Sequence, residues 1–328
     1  MNGVQKRFRG DVHIVRLAVL AAAWLVFMAI FKFNKFFTPI SFQTMGAQFP
    51  EFGLMALGVT LCMITGGIDL SVVGVANFAA ITSGLLLKAL AGEGELPGYG
   101  IPLTILVGVL VGAVAGAFNG FLVSKVKIPP ILATLGSYEL FSGIAIVLTK
   151  GKAVSKLPMA YSELMAGKLF GVIPTQLLVF AVVAAFVGFL LSRTTYGPKL
   201  YMLGTSEKAA RFSGLKNDRL LMKTYMLSGI CAALGGLIML ANYNSARADY
   251  GTVYTLQCVL IVVLGGVSPS GGKGKLSGVL LAILVLQILS SGLNRFSEIN
   301  PFFIPLIWGG VLLVVMVLNF FTEKGQRA

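Results

Sequence analysis

Two acidic residues, Asp69 and Glu139, stand within or beside apolar sequence, where a charge is costly and by default functional. Asp69 lies between Gly66-Gly67 and Ser71. Two interpretations stay open there. Asp69 and Ser71 cap the next helix by accepting hydrogen bonds from its first-turn N–H groups, or they act in gating or substrate contact. Glu139 is either protonated and packed, or faces a polar pathway and bonds a polyol.

Residue patterns typical of an active site are missing from the sequence. The one histidine, His13, lies outside the predicted spans. The three cysteines, Cys62, Cys231 and Cys258, sit singly in apolar runs without metal-ligand or redox spacing, so we interpret them as packing residues. A membrane-embedded enzyme would need a cluster of ionisable groups or a nucleophile with its base. We therefore predict no catalytic residue and no metal site.

The glycine-rich segment 265–275 invites comparison with a phosphate-binding loop. The GxxxxGK[ST] pattern requires glycine at the position of Val267, and Ser or Thr where Gly274 follows Lys273. The pattern fails at both positions. We expect this chain to bind no cofactor, and the segment to form a turn between two helices.

Small residues recur with helical spacing in one apolar run. Gly108, Gly112, Gly116 and Gly120 share one helical stripe, which allows another backbone to approach closely. Tight helix packing is the favoured interpretation, and a place along the substrate path is the alternative. Gly-Gly-aliphatic-x-x-Ser also occurs twice, at Gly66 and Gly265, but six residues are too few to decide whether this reflects an internal duplication.

The polar segment 193–219 contains signals for a short separate helix at 205–214. Thr205 or Ser206 can cap its start, Glu207 and Arg211 suit its first and last turns, and Gly214 can end it. Two helical turns are unstable alone in water, so the helix needs a partner surface. A groove in a cytoplasmic protein is one such surface, and lipid headgroups are the other.

Composition identifies the elements that position these residues. Hydrophobic residues make up 56% of the 328, charged residues 12%, and the mean hydropathy is +0.88, which excludes a water-soluble fold. We predict an all-α polytopic membrane protein with one transmembrane domain over residues 1–328. The second and eighth of its apolar runs are short for a span, which predicts broken or re-entrant helices near 66 and 265. The predicted helices lie near 14–31, 49–65, 70–90, 101–124, 130–149, 173–192, 220–242, 253–266, 276–294 and 302–321.

The distribution of basic residues predicts the orientation. The first predicted helix follows a basic segment, as in a secretory signal peptide, but no A-x-A cleavage pattern comes after the helix. We therefore expect this helix to be retained. With ten spans, 17 of the 26 Lys and Arg residues lie on the side of both termini and the other 9 lie opposite. The positive-inside rule then places both termini in the cytoplasm. This topology explains the net charge of +14 better than nucleic-acid binding does. Acidic residues assigned to the opposite segments, Glu51 among them, suggest a mixed-charge face for an external partner.

Three stretches together resemble the permeases of bacterial monosaccharide ABC importers, the ribose, xylose and arabinose group. They are Ile64 to Ser71; Asn119-Gly120 through Ile128-Pro129-Pro130 to Gly136; and Val263 to Val267 with Gly271 to Gly274. The resemblance runs from about the second helix to the last. It implies a translocation path or gate formed by Gly66, Gly67, Asp69, Ser71, Asn119, Glu139, Gly265 and Gly266. It also implies a cytoplasmic coupling segment that docks on the ATPase through Ser206, Glu207, Ala209, Ala210, Arg211, Ser213 and Gly214.

The resemblance implies partners as well. A second permease subunit, the same or homologous, two cytoplasmic ATPase subunits that bind ATP and Mg²⁺, and a periplasmic sugar-binding protein would complete the importer in the inner membrane. An ion-coupled secondary transporter is the main rival, and only Asp69 and Glu139 would serve its coupling. Nucleosides or sugar-like signal molecules are alternative substrates.

Overall fold

The computed structural model describes residues 12–92 and 94–296, together with residues 303, 306, 309 and 310. In this part the chain is mostly helical and has only four two-residue strands, which confirms the predicted all-α fold. Its helices α1 to α13 are Val12–Phe31, Phe33–Phe36, Pro39–Ile64, Val72–Ala91, Gly100–Phe121, Pro130–Thr149, Met159–Met165, Thr175–Arg193, Tyr196–Thr205, Glu207–Phe212, Asn217–Tyr243, Tyr254–Leu264 and Leu276–Leu293. A π-helical turn, Leu122–Val126, continues α5. Strands β1 to β4 are Val154–Ser155, Lys168–Leu169, Ile173–Pro174 and Ser245–Ala246, paired antiparallel as β1 with β4 and β2 with β3.

Eight helices of the described residues are long and apolar enough to cross a membrane: α1, α3, α4, α5 with its π-helical turn, α6, α8, α11 and α13. Helix α12 has 11 residues and is too short to span, as predicted for the eighth apolar run. The tenth predicted helix, 302–321, falls outside the described residues except at the four positions named above.

The predicted start of the second helix is wrong. Helix α3 begins at Pro39 instead of near 49 and has 26 residues, so it is a full span and is not a short or re-entrant helix. Thr38 precedes it and accepts a hydrogen bond from the N–H of Ser41 at 3.2 Å, while Pro39 takes an early position where its missing N–H costs little. Pro50 and Glu51 both lie inside α3. Glu51 is therefore not part of an outer segment.

Helix α11 lies at the centre of the bundle and packs against α3, α4 and α5. The glycine stripe of α5 makes this contact. A Cβ on Gly112 would collide with the carbonyl oxygen of Gly229, and one on Gly120 would lie 2.7 Å from Cα of Met222. The prediction of tight helix packing is confirmed, because the stripe faces a neighbouring backbone.

The helices end on two opposite faces. We call one of them the Gly66 face, and it carries the connections 65–71, 127–129, 194–216 and 265–275. The other, which we call the Glu51 face after a residue that lies beneath it in α3, carries the connections 92–99 and 150–174, and the segment 244–253 enters the bundle from it. Between the two faces, buried side chains of α3 such as Leu54, Leu57 and Leu61 form the middle of the apolar core.

Candidate functional site

The connections that follow α3 and α12 begin with the same backbone turn. Gly66 has a φ of +85° and donates its N–H to the oxygen of Met63 at 3.0 Å, while the N–H of Gly67 bonds the oxygen of Cys62 at 3.2 Å. At the end of α12, Gly266 has a φ of +86°, and the equivalent two hydrogen bonds measure 3.0 and 3.1 Å. This is the Schellman ending, in which the left-handed position favours glycine. The repeated Gly-Gly sequence thus encodes one turn used twice.

The two turn-bearing connections meet each other and the end of α9. The N–H of Gly272 donates to the oxygen of Ile64 at 2.9 Å. A Cβ on Gly271 would lie 2.6 Å from the nitrogen of Gly66, and one on Gly204 would collide with the oxygen of Ile64. Three backbone segments therefore lie in direct contact at the Gly66 face, with no space for side chains between them.

Asp69 is 1% exposed, and both of its carboxylate oxygens accept hydrogen bonds from other residues of the chain. Oδ1 accepts from the N–H of Ser71 at 3.0 Å and from its hydroxyl at 2.6 Å, and Oδ2 accepts from the hydroxyl of Ser228 at 2.7 Å. The amide of Asn119 donates to Oγ of Ser71 at 2.7 Å. These four side chains, the Asp69 cluster, join the α3–α4 connection to α5 and α11.

The predicted capping of α4 is wrong for Ser71. Ser71 is the residue before α4, but its hydroxyl bonds Asp69 and Asn119 instead of a first-turn N–H. The Asp69 carboxylate caps one residue earlier, at the N–H of Ser71. Burial places the cluster inside the packed bundle, where it holds three elements together. Its role in gating stays a prediction.

Helix α10 confirms the short helix expected in the segment 193–219, although a further helix, α9, precedes it. The hydroxyl of Ser206 accepts from the N–H of Ala209 at 3.2 Å, so Ser206 is the cap. Gly214, with a φ of +79°, ends the helix. The expectation that Ala209 and Ala210 both face a partner is wrong for Ala210, which is buried against its own chain. Phe212, which the sequence analysis passed over, is 93% exposed beside Ala209.

Charged side chains surround α10 at the Gly66 face. The predicted pair of Glu207 and Arg211 is present, with 3.4 Å between Oε1 and the guanidinium. Lys127 lies 3.6 Å from the same Oε1 and 3.2 Å from Asp218, which Lys125 also contacts at 3.0 Å. These groups are exposed enough for solvent to screen them, so they orient α10 without strongly stabilising it.

Glu139 lies midway along α6 and is exposed on the single chain. It lines a cavity of about 360 Å³ together with Lys152, Arg247 and Asp249, and it forms no hydrogen bond or ion pair with any described residue. Glu139 is therefore not packed within this single chain. The polar-pathway interpretation stays a prediction.

A second buried carboxylate, Glu51, was missed by the sequence analysis. It is 2% exposed within α3. Its Oε1 accepts from the amide of Asn242 at 2.6 Å, and its Oε2 accepts from the hydroxyls of Tyr243 at 2.9 Å and Tyr254 at 3.1 Å. The amide of Gln176 donates to Oδ1 of Asn242 at 2.8 Å and extends the network. Three neutral donors stabilise this carboxylate without a cation.

The Glu51 network forms the wall of a cavity of about 650 Å³, which we call the Glu51 cavity. Side chains from α3, α11, α12 and α13 line it, with Lys168 and Pro174 on the Glu51 face. The volume lies within the usual range for small-molecule sites, roughly 300 to 1,000 Å³. One sequence signal marks Glu51 itself, namely a glutamate within a long apolar segment, but it does not mark the partners or the cavity.

Comparison with known proteins identifies the kind of chain that carries these sites. Residues 42–319 match the model of a protein family. That family is described as "Branched-chain amino acid transport system / permease component". The chain belongs to this permease family. The matched residues of the permease include the Gly66 face, the Asp69 cluster and the Glu51 cavity. Membership of this family means that the chain is a multi-pass transport subunit and not an enzyme.

Individual relatives of the permease are import proteins. The ribose import permease protein of Bacillus subtilis (strain 168) is 32% identical over 318 residues, which cover 96% of each chain. The autoinducer 2 import system permease protein of Escherichia coli (strain SMS-3-5 / SECEC) is 35% identical over 266 residues, 81% of this chain and 75% of that protein. Its counterpart in Yersinia pestis (strain Pestoides F) is 33% identical over 266 residues, 81% and 73% of the two chains. No solved structure matches the permease.

Proposed function

We propose that this permease forms the membrane path for a monosaccharide in an ATP-driven importer of the bacterial inner membrane. The observation that carries the proposal is the similarity to a ribose import permease over 96% of both chains. A sugar-like signal molecule is the second candidate, because the autoinducer 2 import permeases are similar over 81% of this chain.

The chemistry of the Glu51 cavity favours a sugar over a branched-chain amino acid. Its polar lining consists mainly of carboxamides and phenols, including Gln48, Gln257, Gln287, Asn242 and Tyr254. Carboxamides both donate and accept, as sugar hydroxyls do. The lining also contains one carboxylate, Glu51, and one ammonium group, Lys168, so the preference for a sugar rests on the number of carboxamides and phenols.

The proposed orientation places the Gly66 face in the cytoplasm and the Glu51 face outside. Lys125, Lys127, Lys199, Lys208 and Arg211 are among the basic residues of the Gly66 face. The positive-inside rule favours the cytoplasm for such a face. Both termini are then cytoplasmic.

Helix α10 is the proposed docking element for the cytoplasmic ATPase. It presents Phe212, 93% exposed, and Ala209 away from its own chain. A large aromatic side chain next to a small residue is the kind of anchor that fills a pocket on a partner protein. The ATPase subunits would bind ATP and Mg²⁺. A second permease subunit and a periplasmic sugar-binding protein complete the proposed assembly.

Uptake measurements test the proposed function. The chain is expressed with the ATPase and binding protein encoded beside it, in cells that lack their own ribose and leucine importers. We expect uptake of labelled D-ribose, or of a sugar-like signal molecule, and no uptake when the ATPase is omitted. Uptake of L-leucine without uptake of either sugar would contradict the proposal.

A further inference from the structure

We propose that the Glu51 cavity is itself a binding site for a neutral, polyhydroxylated molecule within a single copy of this chain. The proposal rests on the proposed function, because the molecule expected there is the transported sugar. It assigns the ligand contacts to carboxamide and phenol groups that no sequence motif marks.

The depth of the cavity places the site inside the bundle. Glu51 is the thirteenth of the 26 residues of α3, and it bonds the hydroxyl of Tyr254, the first residue of the short helix α12. The chain returns from the Glu51 face through residues 244–253 and then α12, so the first part of this return is non-helical. Non-helical backbone at membrane depth is tolerated where it is buried in protein or lines a cavity. Discontinuous helices with unwound backbone form substrate sites near the midplane in other transporters.

The non-helical segment 244–253 is held in place by the rest of the fold. Asn77 on α4, 1% exposed, donates to the carbonyl oxygens of Ala248 at 2.9 Å and Tyr250 at 2.8 Å. These hydrogen bonds satisfy carbonyl groups that a helix would have satisfied internally. The side chains that follow, Val253 and Tyr254, are thus held at the wall of the cavity.

Hydrogen bonds from Asn242, Tyr243 and Tyr254 occupy both carboxylate oxygens of Glu51, so this group holds the wall in shape and has little capacity left to accept from a ligand. The ligand contacts therefore fall to the neutral carboxamides of the lining, which suit an uncharged molecule rich in hydroxyl groups.

Gln257 is a buried polar side chain that remains free for a ligand. Its side chain is 6% exposed, lines the cavity, and forms no hydrogen bond with any described residue. Buried carboxamides almost always have hydrogen-bond partners, so an unpartnered one at a cavity wall indicates a ligand or solvent position. Gln48 and Gln287 bond each other at 3.2 Å on the same wall and keep further donor and acceptor capacity. The rings of Phe52 and Tyr254, 5.7 Å apart, supply an apolar surface for the C–H face of a sugar.

Protection of an introduced cysteine tests the site on the purified chain. Ser290 lines the cavity, and Ser290→Cys is nearly isosteric. The control is Ser155→Cys, exposed on the Glu51 face away from the cavity. The three native cysteines are buried and give little background. We expect D-ribose to slow the reaction of a polar thiol reagent with Cys at 290 and not at 155, and L-leucine to slow neither.

A second substitution identifies the contact. In the Ser290→Cys background, Gln257→Leu removes the free carboxamide and keeps a similar volume, so we expect it to raise the D-ribose concentration needed for protection about tenfold. The matched control is Gln43→Leu at the mouth, where the amide oxygen already accepts from Lys168 at 2.7 Å. It is expected to change that concentration less than about twofold.

The outcomes separate this inference from the proposed function. Failure of D-ribose to protect position 290, or equal effects of Gln257→Leu and Gln43→Leu, would overturn the site even where uptake of D-ribose succeeds. Protection by L-leucine instead of D-ribose would overturn the assigned ligand class. Uptake of L-leucine alone by the assembled importer is a failure of the proposed function.

Discussion

The loops of the Gly66 face lie backbone against backbone, whereas the walls of the Glu51 cavity consist of side chains that meet from four helices. Contact between Gly66, Gly204 and Gly271 depends on the absence of side chains. The Glu51 network depends on which polar side chains are present. Substitutions in the first region should therefore damage the fold, and substitutions in the second should change what the folded protein binds.

The largest expected effect comes from adding a methyl group at the Gly66 face. Gly204→Ala would place Cβ against the carbonyl oxygen of Ile64, which is backbone and cannot move aside cheaply. We expect a loss of stability of about 3 kcal/mol, which would deplete the folded protein. Thermal unfolding monitored by size-exclusion chromatography in detergent measures it.

The matched control for this prediction is another helix glycine with space around it. In Gly188→Ala the nearest contact is Cδ2 of Leu276 at 3.4 Å, at the tip of a flexible side chain. Its stability is expected to change by less than about 1 kcal/mol. Equal stability of the two variants would show that the backbone contact at Gly204 does not matter.

An intermediate effect is expected in the Asp69 cluster, which is built from side chains but buried like the glycine loops. Asp69→Ala leaves the buried N–H of Ser71 without an acceptor and should cost about 2 kcal/mol of stability. Asp69→Asn retains an acceptor oxygen and should cost less than about 1 kcal/mol. If transport falls strongly in a stable Asp69→Asn variant, the residue acts in gating and not only in structure.

The smallest effect on folding is expected at the exposed side of α10, where a partner and not the chain itself makes the contact. Phe212→Ser should leave the permease folded and weaken copurification of the ATPase about tenfold. Glu207→Gln removes only exposed ion pairs, so we expect a change of about 0.5 kcal/mol or less. Unchanged ATPase binding by Phe212→Ser would favour contact of α10 with lipid headgroups.

Local signals in the sequence predicted the elements that depend on neighbouring residues. The cap at Ser206, the helix end at Gly214 and the glycine stripe of α5 each follow from a few nearby positions. The orientation of α10 could not be predicted in this way. Whether Ala210 or Phe212 faces inwards depends on the surface that α11 and the Gly66 face present to the helix.

The Glu51 cavity was hidden from the sequence for two reasons. The second helix is predicted to start near 49, which puts Glu51 at its boundary, although α3 begins at Pro39 and continues through Pro50. The partners of Glu51 also lie 191, 192 and 203 residues further along the chain. No local pattern joins residues so distant, so only the packing of α3, α11 and α12 reveals the network.

The measurement that tests the central claim most directly is thiol accessibility in intact cells, because the account gives the two faces different partners on opposite sides of the membrane. Ser155 on the Glu51 face and Ser213 on the Gly66 face are both exposed, so Ser155→Cys and Ser213→Cys form a matched pair. We predict that a membrane-impermeant reagent labels Cys at 155 in intact cells and labels Cys at 213 only after the membrane is opened. Labelling of position 213 but not 155 in intact cells would contradict the account.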